Sequence, residues 1–336
     1  MNLPDTPAAG LAARIIRELK AKGHQAFLVG GCVRDLLLGR IPVDFDVATD
    51  ATPAQVTALF PIAELVGAHF GVVHVRGGGA QVEVATFRSD HAYSDGRHPG
   101  SVRFETDPRE DVRRRDFTIN AMLLEPDSGE LLDFAGGRED LDRRLVRAVG
   151  DPAARFREDH LRMLRAVRFA ARLGFDIHPA TMDAIRGLRA SAARVSAERT
   201  RDEITRILTE GAARRGFELL DESSLLLTLL PEVAAMKGVP QPPQFHPEGD
   251  VWTHTLLMLE AMEQPSVTLA LGVLLHDVGK PPTFRVAERI RFDGHAEKGA
   301  DMAAVILRRL RYSSDEARQV ESLVRNHLRF MHVREM

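Results

Sequence analysis

Two aspartates stand one residue apart in Asp44-Phe45-Asp46, shortly after the apolar run Phe27-Leu28-Val29 ends in Gly30-Gly31. On a strand, residues i and i+2 leave the same face, so this spacing sets two carboxylates side by side. A divalent cation between them offsets their repulsion, and hard oxygen ligands of this kind suit Mg²⁺, which completes its shell with water and phosphate oxygens. Glycines just before a helix let backbone N–H groups approach a phosphate. One short segment therefore combines a phosphate cradle with a metal site, the two parts that metal-assisted attack on a nucleotide phosphate needs.

The surrounding pattern supplies the elements that must hold these groups. Leu11, Ile15, Ile16 and Leu19 recur at helical spacing and predict an amphipathic helix over residues 6–22. Short apolar runs separated by turns predict strands at Ala26–Val29, Asp44–Ala48, Val72–Val75, Val82–Phe87 and Leu131–Phe134. Helices are expected at Val33–Leu38, Pro53–Leu59 and Phe117–Met122, and Gly136-Gly137 marks the exit of this α/β part. From Leu141 to Leu230 the pattern is helix after helix, with Leu161, Leu164, Val167, Phe169 and Leu173 as one apolar stripe and Arg162, Arg165, Arg168 and Arg172 sharing a face. Pro240-Gln241-Pro242-Pro243 breaks the pattern before a further helical stretch.

These residues resemble the head domain of the class II tRNA nucleotidyltransferases and bacterial poly(A) polymerases, in the polymerase-β-like superfamily. The resemblance is carried by Gly30-Gly31-x-x-Arg34-Asp35 with Asp44-x-Asp46, by Arg114-Arg115-Asp116-Phe117-Thr118-Ile119-Asn120, by Glu158-Asp159-His160-Leu161-Arg162 continuing to Arg165 and Arg168, and by Ser196-Ala197-Glu198-Arg199 with Glu203. It implies an α+β chain: a nucleotidyltransferase head of mixed sheet and helices (1–137), an all-helical neck and body (138–240), and a helical HD-type domain (241–336). It further implies that Asp44 and Asp46, joined by Glu83 from a neighbouring strand, hold Mg²⁺. Gly30, Gly31 and Arg34 would hold the triphosphate, and Arg115, Asp116 and Asn120 would surround the sugar and phosphates, with Arg114 a less direct contributor. Asp159 and Arg162, three apart on one helix face, would match the Watson–Crick edge of C or A, with Arg165 and Arg168 beside them and Glu158 bracing a neighbouring arginine. The segment Arg88–Arg103 reads as a flexible loop of turn formers. Enzymes of this kind that add only CC shorten it, so a CC-only product is not expected. The spelling Arg97-His98-Pro99 points to the A-adding branch.

A second constellation lies downstream. His254, His276-Asp277, His295 and His327 fall in helical context, with His276-Asp277 closing the apolar run Leu271–Leu275. Their order resembles the HD superfamily of metal-dependent phosphohydrolases, which implies a divalent transition-metal site. No closing aspartate of that pattern is evident in the residues that follow: either His327 replaces it or the site is incomplete.

Composition fits these expectations. The net charge of −3 conceals basic stretches, ten arginines against six acids over Arg138–Arg172 and seven against three over Arg308–Arg334, and local basic surface is what engages a phosphate backbone. No apolar run reaches membrane-spanning length, the first ten residues lack a signal-peptide pattern, and the lone Cys32 makes no internal disulfide. A cytoplasmic protein is expected, with partners a tRNA 3′ end and CTP and/or ATP. Relatives of this kind continue past Arg325-Asn326-His327-Leu328, so a truncated or short member is expected. The competing expectations are a poly(A) polymerase and an HD phosphohydrolase with a nucleotide-binding head.

Overall fold

A computed structural model describes residues 3–66, 71–91, 96 and 100–332. The chain divides into two compact units, residues 1–159 with 176–181, and residues 160–175 with 182–336.

In the first unit, Thr6 caps α1 (Pro7–Ala21) by accepting the Ala9 N–H, and Leu11, Ile15, Ile16 and Leu19 form its buried face. α1 packs on β1 (Ala26–Val29) and β5 (Ala80–Thr86). Between these run α2 (Gly31–Leu37), β2 (Asp46–Thr49), α3 (Pro53–Leu59), β3 (Ala63–Leu65) and β4 (Val72–Gly77). β6 (Arg88–His91), β7 (Ser101–Phe104), α4 (Pro108–Arg113), β8 (Leu123–Leu124), β9 (Leu131–Leu132), α5 (Gly137–Asp142) and α6 (Pro152–Glu158) follow. Seven strands form one mixed sheet in the order β3-β4-β5-β2-β1-β8-β9. β2 and β5 pair in parallel, while the other neighbours in this sheet are antiparallel. A buried cluster of Val29, Ala48, Phe87, Val112, Ala121, Leu123 and Val149 ties the central strands to the segment following α4.

Three expectations change here. Arg88–Arg103 is a hairpin at its base, with Arg88 opposite Phe104 and His91 opposite Ser101; positions 92–95 and 97–99, including most of the Tyr93–Gly100 stretch, lie outside the described residues. Phe117–Met122 is not an α-helix but a single 3₁₀ turn, Thr118–Asn120. Phe117 is held extended by a bridge to Ala148, and the chain enters β8 at Leu123, which leaves room for one turn only. Leu131–Phe134 stops as a strand at Leu132 because the Asp133 carboxylate accepts N–H bonds from Ala135, Gly137 and Arg138, turning the chain into α5.

The second unit is helical: α7 (Leu161–Leu173), α8 (Pro179–Leu188, whose first residues belong to the first unit), α9 (Ala197–Thr209), α10 (Ala213–Glu222), α11 (Leu225–Leu229), α12 (Pro231–Ala234), α13 (Val251–Glu260), α14 (Val267–Leu275), α15 (Lys280–Thr283), α16 (His295–Arg309) and α17 (Ser314–Asn326). α7 packs on α9 and α10 along its apolar stripe, α10 on α13, α9 on α14, and α14 on α17, which also packs on α16.

Candidate functional site

Asp46 opens β2, and its register partner across the parallel pair is Glu83 of β5. Both carboxylates therefore leave the same face of the sheet. The sequence places Glu83 in an apolar strand; the structure places it at an exposed position between the buried Val82 and Val84. Asp44 does not share the strand. It lies exposed in the bend before β2, because β1 ends at Val29 opposite Asp46, and Gly30, at φ 81°, swings the chain into α2. On the β1 side no strand is left for Asp44 to pair with, and on the other side the pairing with β5 begins only at Asp46 opposite Glu83. The three carboxylates still act on one another: burial, then Glu83 and also Asp44, push the Asp46 carboxyl up to about 6 against the pull of Arg115. An all-oxygen donor set with mutually repelling charges fits a hard divalent cation.

The other head residues are brought to the same place. Gly30 is the close-approach point: a Cβ there would meet Asp46 Oδ2 at 3.6 Å and Arg115 Nη1 at 3.7 Å. Arg115 is aimed by Asp111, whose Oδ2 accepts from Arg115 Nε and Nη2 at 3.1 and 2.8 Å while Oδ1 accepts from Arg114 Nε and Nη2 at 2.8 and 2.5 Å. Burial would raise the Asp111 carboxyl, but the two guanidinium groups hold it below the usual carboxylate range. Arg34 is 3% exposed. Its guanidinium bonds Asp35 and, at 2.7 Å, Asn120 Oδ1. Asp116 Oδ1 accepts from the Phe117 N–H and from Asn120 Nδ2. Gly31 opens α2 beside Arg34.

Sequence reasoning missed two residues of this site. Asp111 was legible in its spacing, since acids three and four residues before arginines share a helix face with them. His74 was not: it reaches the site only through the β4–β5 pairing, which sets it opposite Glu83 with Nε2 3.6 Å from Oε2. Asp111→Asn is expected to raise the KM for nucleoside triphosphate about tenfold by releasing Arg115; an unchanged KM would show that Arg115 needs no anchor.

Beneath the Asn120 turn, Asp140 accepts from Thr118 Oγ1 and Arg147 Nε, and a Cβ on Gly137 would lie 2.2 Å from the Thr118 carbonyl oxygen and 2.9 Å from Met122 Cγ. Gly137→Ala is expected to cost about 3 kcal/mol of stability, at the upper end of overpacking, and urea unfolding reads it directly.

The residues expected to select the base are arranged differently from that expectation. α6 ends at Glu158, Asp159 is extended at φ −143°, and α7 starts at Leu161. Asp159 and Arg162 therefore do not ride a common helix; two consecutive acids at the end of α6 oppose its dipole and favour the break. Glu158 pairs with Arg155, which also donates to the Arg113 carbonyl oxygen at 2.7 Å. Arg162 and Arg165 are half-buried on α7, Arg165 lying over the Phe169 ring. Arg168 is 3% exposed, and its Nε donates to Glu203 Oε2 of α9 at 2.6 Å. Its observed contacts include this internal ion pair, a longer one from Nη1 to Glu210 Oε2 at 3.9 Å, and the Phe169 ring.

In the second unit His254, His276, Asp277, His295 and His327 converge, and His246 and Glu248, which the sequence reading passed over in a Pro-flanked loop, join them. Among the described residues, the sets of three whose ligand atoms all lie within 4.8 Å of one another belong to this cluster; Asp44, Asp46 and Glu83 do not form such a set. His276, His295 and His327 donate their Nδ1–H to the carbonyl oxygens of Val273, Phe292 and Val324, at 2.7, 2.8 and 2.6 Å. Each Nε2 then carries its lone pair inward. Asp277 Oδ1, buried without a hydrogen bond, lies 3.6 Å from His295 Nε2 and 3.7 Å from His327 Nε2, and the two Nε2 atoms are 3.4 Å apart. Ligands at about 2.1 Å around one tetrahedral ion have such mutual separations. Burial lowers the proton affinity of His254, His295 and His327. Burial would raise Asp277, but His276 and Lys280 hold it well below the carboxylate range. Neutral imidazoles around an ionised carboxylate fit a transition-metal ion. Lys280 Nζ sits 2.7 Å from Asp277 Oδ2 and donates to Gln241 at 2.6 Å.

A mixed sheet carrying paired carboxylates, with a separate helical unit holding a histidine–aspartate cluster, defines a nucleotide-handling head joined to an HD-type module. Family models agree: the poly A polymerase head domain matches residues 26–147, the probable RNA- and SrmB-binding site of polymerase A residues 174–237, and the HD domain residues 250–335. The chain is 44% identical over 214 residues to the CCA-adding enzyme of Bacillus licheniformis, covering 64% of this chain and 54% of that one. It is 46% identical over 214 residues to that of Geobacillus stearothermophilus, covering 64% and 53%. The matched stretch thus spans about half the length of these curated relatives. The crystal structure of the Bacillus stearothermophilus CCA-adding enzyme in complex with CTP superposes with a TM-score of 0.60 at 31% identity, covering 98% of this chain and 84% of that one. The chain belongs to the CCA-adding enzyme family.

Proposed function

We propose that the chain adds CMP and/or AMP, from CTP and ATP, to the 3′ end of tRNA without a nucleic-acid template. The terminal 3′-hydroxyl oxygen forms a bond to the α-phosphorus, the bond from that phosphorus to the β-phosphate oxygen breaks, and pyrophosphate leaves. The observation that carries this reading is the parallel register of Asp46 with Glu83, with Asp44 and Arg115 beside it. Mg²⁺ held by Asp44, Asp46 and Glu83 would supply Lewis-acid activation of the hydroxyl and charge neutralisation on the phosphates. Arg115, aimed by Asp111, faces the triphosphate side of this centre. Arg34 is buried behind Asn120, so its part is to fix that side chain, which with Asp116 positions the sugar and phosphates. Base selection falls to Asp159 and Arg162, with Arg165 near them, on the strength of the resemblance; Arg168 supports α7 from inside.

The three-part organisation, 1–137, 138–240 and 241–336, is proposed on the same grounds. Among the described residues no helix is long and apolar enough to cross a membrane. A cytoplasmic location is proposed from the lone Cys32, which is buried and can make no internal disulfide, as fits a reducing compartment.

The test is extension of one tRNA in three forms, ending at the discriminator base, at C and at CC, each with CTP, ATP or both. Extension of all forms to CCA assigns full CCA addition. Extension of the CC form alone, by ATP alone, assigns A addition. Long A tracts assign poly(A) synthesis, and no extension by folded protein overturns the proposal.

The histidine cluster favours a second reading, metal-dependent phosphohydrolysis in the HD-type unit. Asp44→Ala with Asp46→Ala is expected to abolish addition and spare hydrolysis, and His276→Ala with Asp277→Ala to do the reverse.

A further inference from the structure

The histidines of the second unit are anchored in two ways. His276, His295 and His327 sit at helix ends, where a carbonyl three residues earlier accepts the Nδ1–H. His254 lies inside α13, where backbone carbonyls are engaged in the helix ladder. Its Nδ1 instead meets Glu248 Oε1 at 2.6 Å, and His246 Nδ1 meets the same oxygen at 2.9 Å. The His246 and His254 rings stand edge to face at 4.8 Å, and the His254 ring is 5.3 Å from that of His276. Among His254, His276, His295 and His327, Glu248 therefore grips the outer nitrogen of the one imidazole for which no carbonyl anchor is seen.

We propose that Glu248 is a positioning residue for the metal centre around Asp277, holding His254 in the Nδ1–H tautomer with Nε2 turned to the ion, while His246 steadies the Glu248 carboxylate. A carboxylate behind a ligating imidazole fixes ring orientation and raises the basicity of the opposite nitrogen. The loop before α13 thereby supplies a second carboxylate, beside Asp277, to the surroundings of this centre. This inference rests on the metal-centre reading.

The test uses the full chain, titrated with Zn²⁺ and with Co²⁺ by calorimetry, and ¹⁵N-detected histidine NMR of the metal-free protein. Wild type should bind the ion, with His254 in the Nδ1–H tautomer. Glu248→Gln should keep the wild-type stoichiometry, weaken binding about 10- to 100-fold, and change the His254 tautomer signal. His246→Ala should weaken binding less than Glu248→Gln does. Unchanged affinity in Glu248→Gln overturns the positioning role alone. Loss of one whole equivalent of metal also overturns it, because Glu248 would then be a direct ligand. Absence of binding by wild type overturns the metal-centre reading together with the proposal. The tautomer measurement keeps the result readable should Glu248→Gln lower stability, since it reports on the folded fraction.

Discussion

Asp46→Asn is expected to lower nucleotide addition to tRNA by about 10³-fold, the scale of removing one preorganised electrostatic group from a reaction centre, without loss of stability. The two halves of this result have one cause. Asp46 is half-buried beside Glu83 and Asp44, and that surrounding pushes its carboxyl up to about 6. A neutral amide of the same shape removes repulsion from the folded head, so the melting temperature should stay level or rise. The same substitution removes the charge that holds a divalent cation. A second readout separates the effects: Mg²⁺ should raise the melting temperature of wild type by mass action, and should do so less for Asp46→Asn. Retention of more than about a tenth of wild-type addition would falsify the assignment of Asp46.

Arg168→Ala is expected to destabilise the second unit by about 3–5 kcal/mol, the range for breaking a buried ion pair by removing one partner. Arg168 and Glu203 are 3% and 4% exposed, and their 2.6 Å bond joins α7 to α9. Removing the guanidinium leaves a carboxylate with little access to water. Glu203→Ala should cost a similar amount for the mirror-image reason, and replacing both residues should cost less than the sum of the two singles. A nucleotide contact at Arg168 predicts another pattern: Arg168→Ala would raise the KM for CTP or ATP at unchanged stability, and Glu203→Ala would be mild. Chemical denaturation of the four proteins in the cycle decides between them.

What could be read in advance, and what could not, follows from the range of the interactions. The glycine pair, the two aspartates and the histidine–aspartate dipeptide are local signals, and the structure sets Gly30 beside Asp46 and Asp277 among His276, His295 and His327. α3 and β1 have the bounds that their residues predict. Asp44 failed as a strand residue because β1 ends opposite Asp46, a fact of pairing rather than of composition. His74 enters the site only through a register between β4 and β5. The break at Asp159 is hidden by its surroundings, since the stretches on both sides are good helix and one residue's φ decides. Glu248 gives no signal of its own in the sequence, because the prolines and glycine around it have the pattern of a connector. Connectors over a rigid scaffold are where positioning groups often sit.

The bond from Arg34 to Asn120 spans 86 residues of sequence, and β1 takes β8 as one of its two neighbours. This has a consequence for the order in which a nascent chain becomes competent. When the ribosome has delivered β5, Asp44, Asp46 and Glu83 are all present and their parallel pairing can form. Arg34 still lacks its partner, and one side of β1 is open. The cradle closes only once β8 has been made and the Gly137 turn is seated under Thr118. Long-range pairing of this kind is slow to form, and an unpaired central strand is a template for wrong partners while it waits. A fragment ending near residue 90 should therefore aggregate or bind chaperones, whereas one ending after α6 still lacks the returning segment 176–181 that completes the first unit.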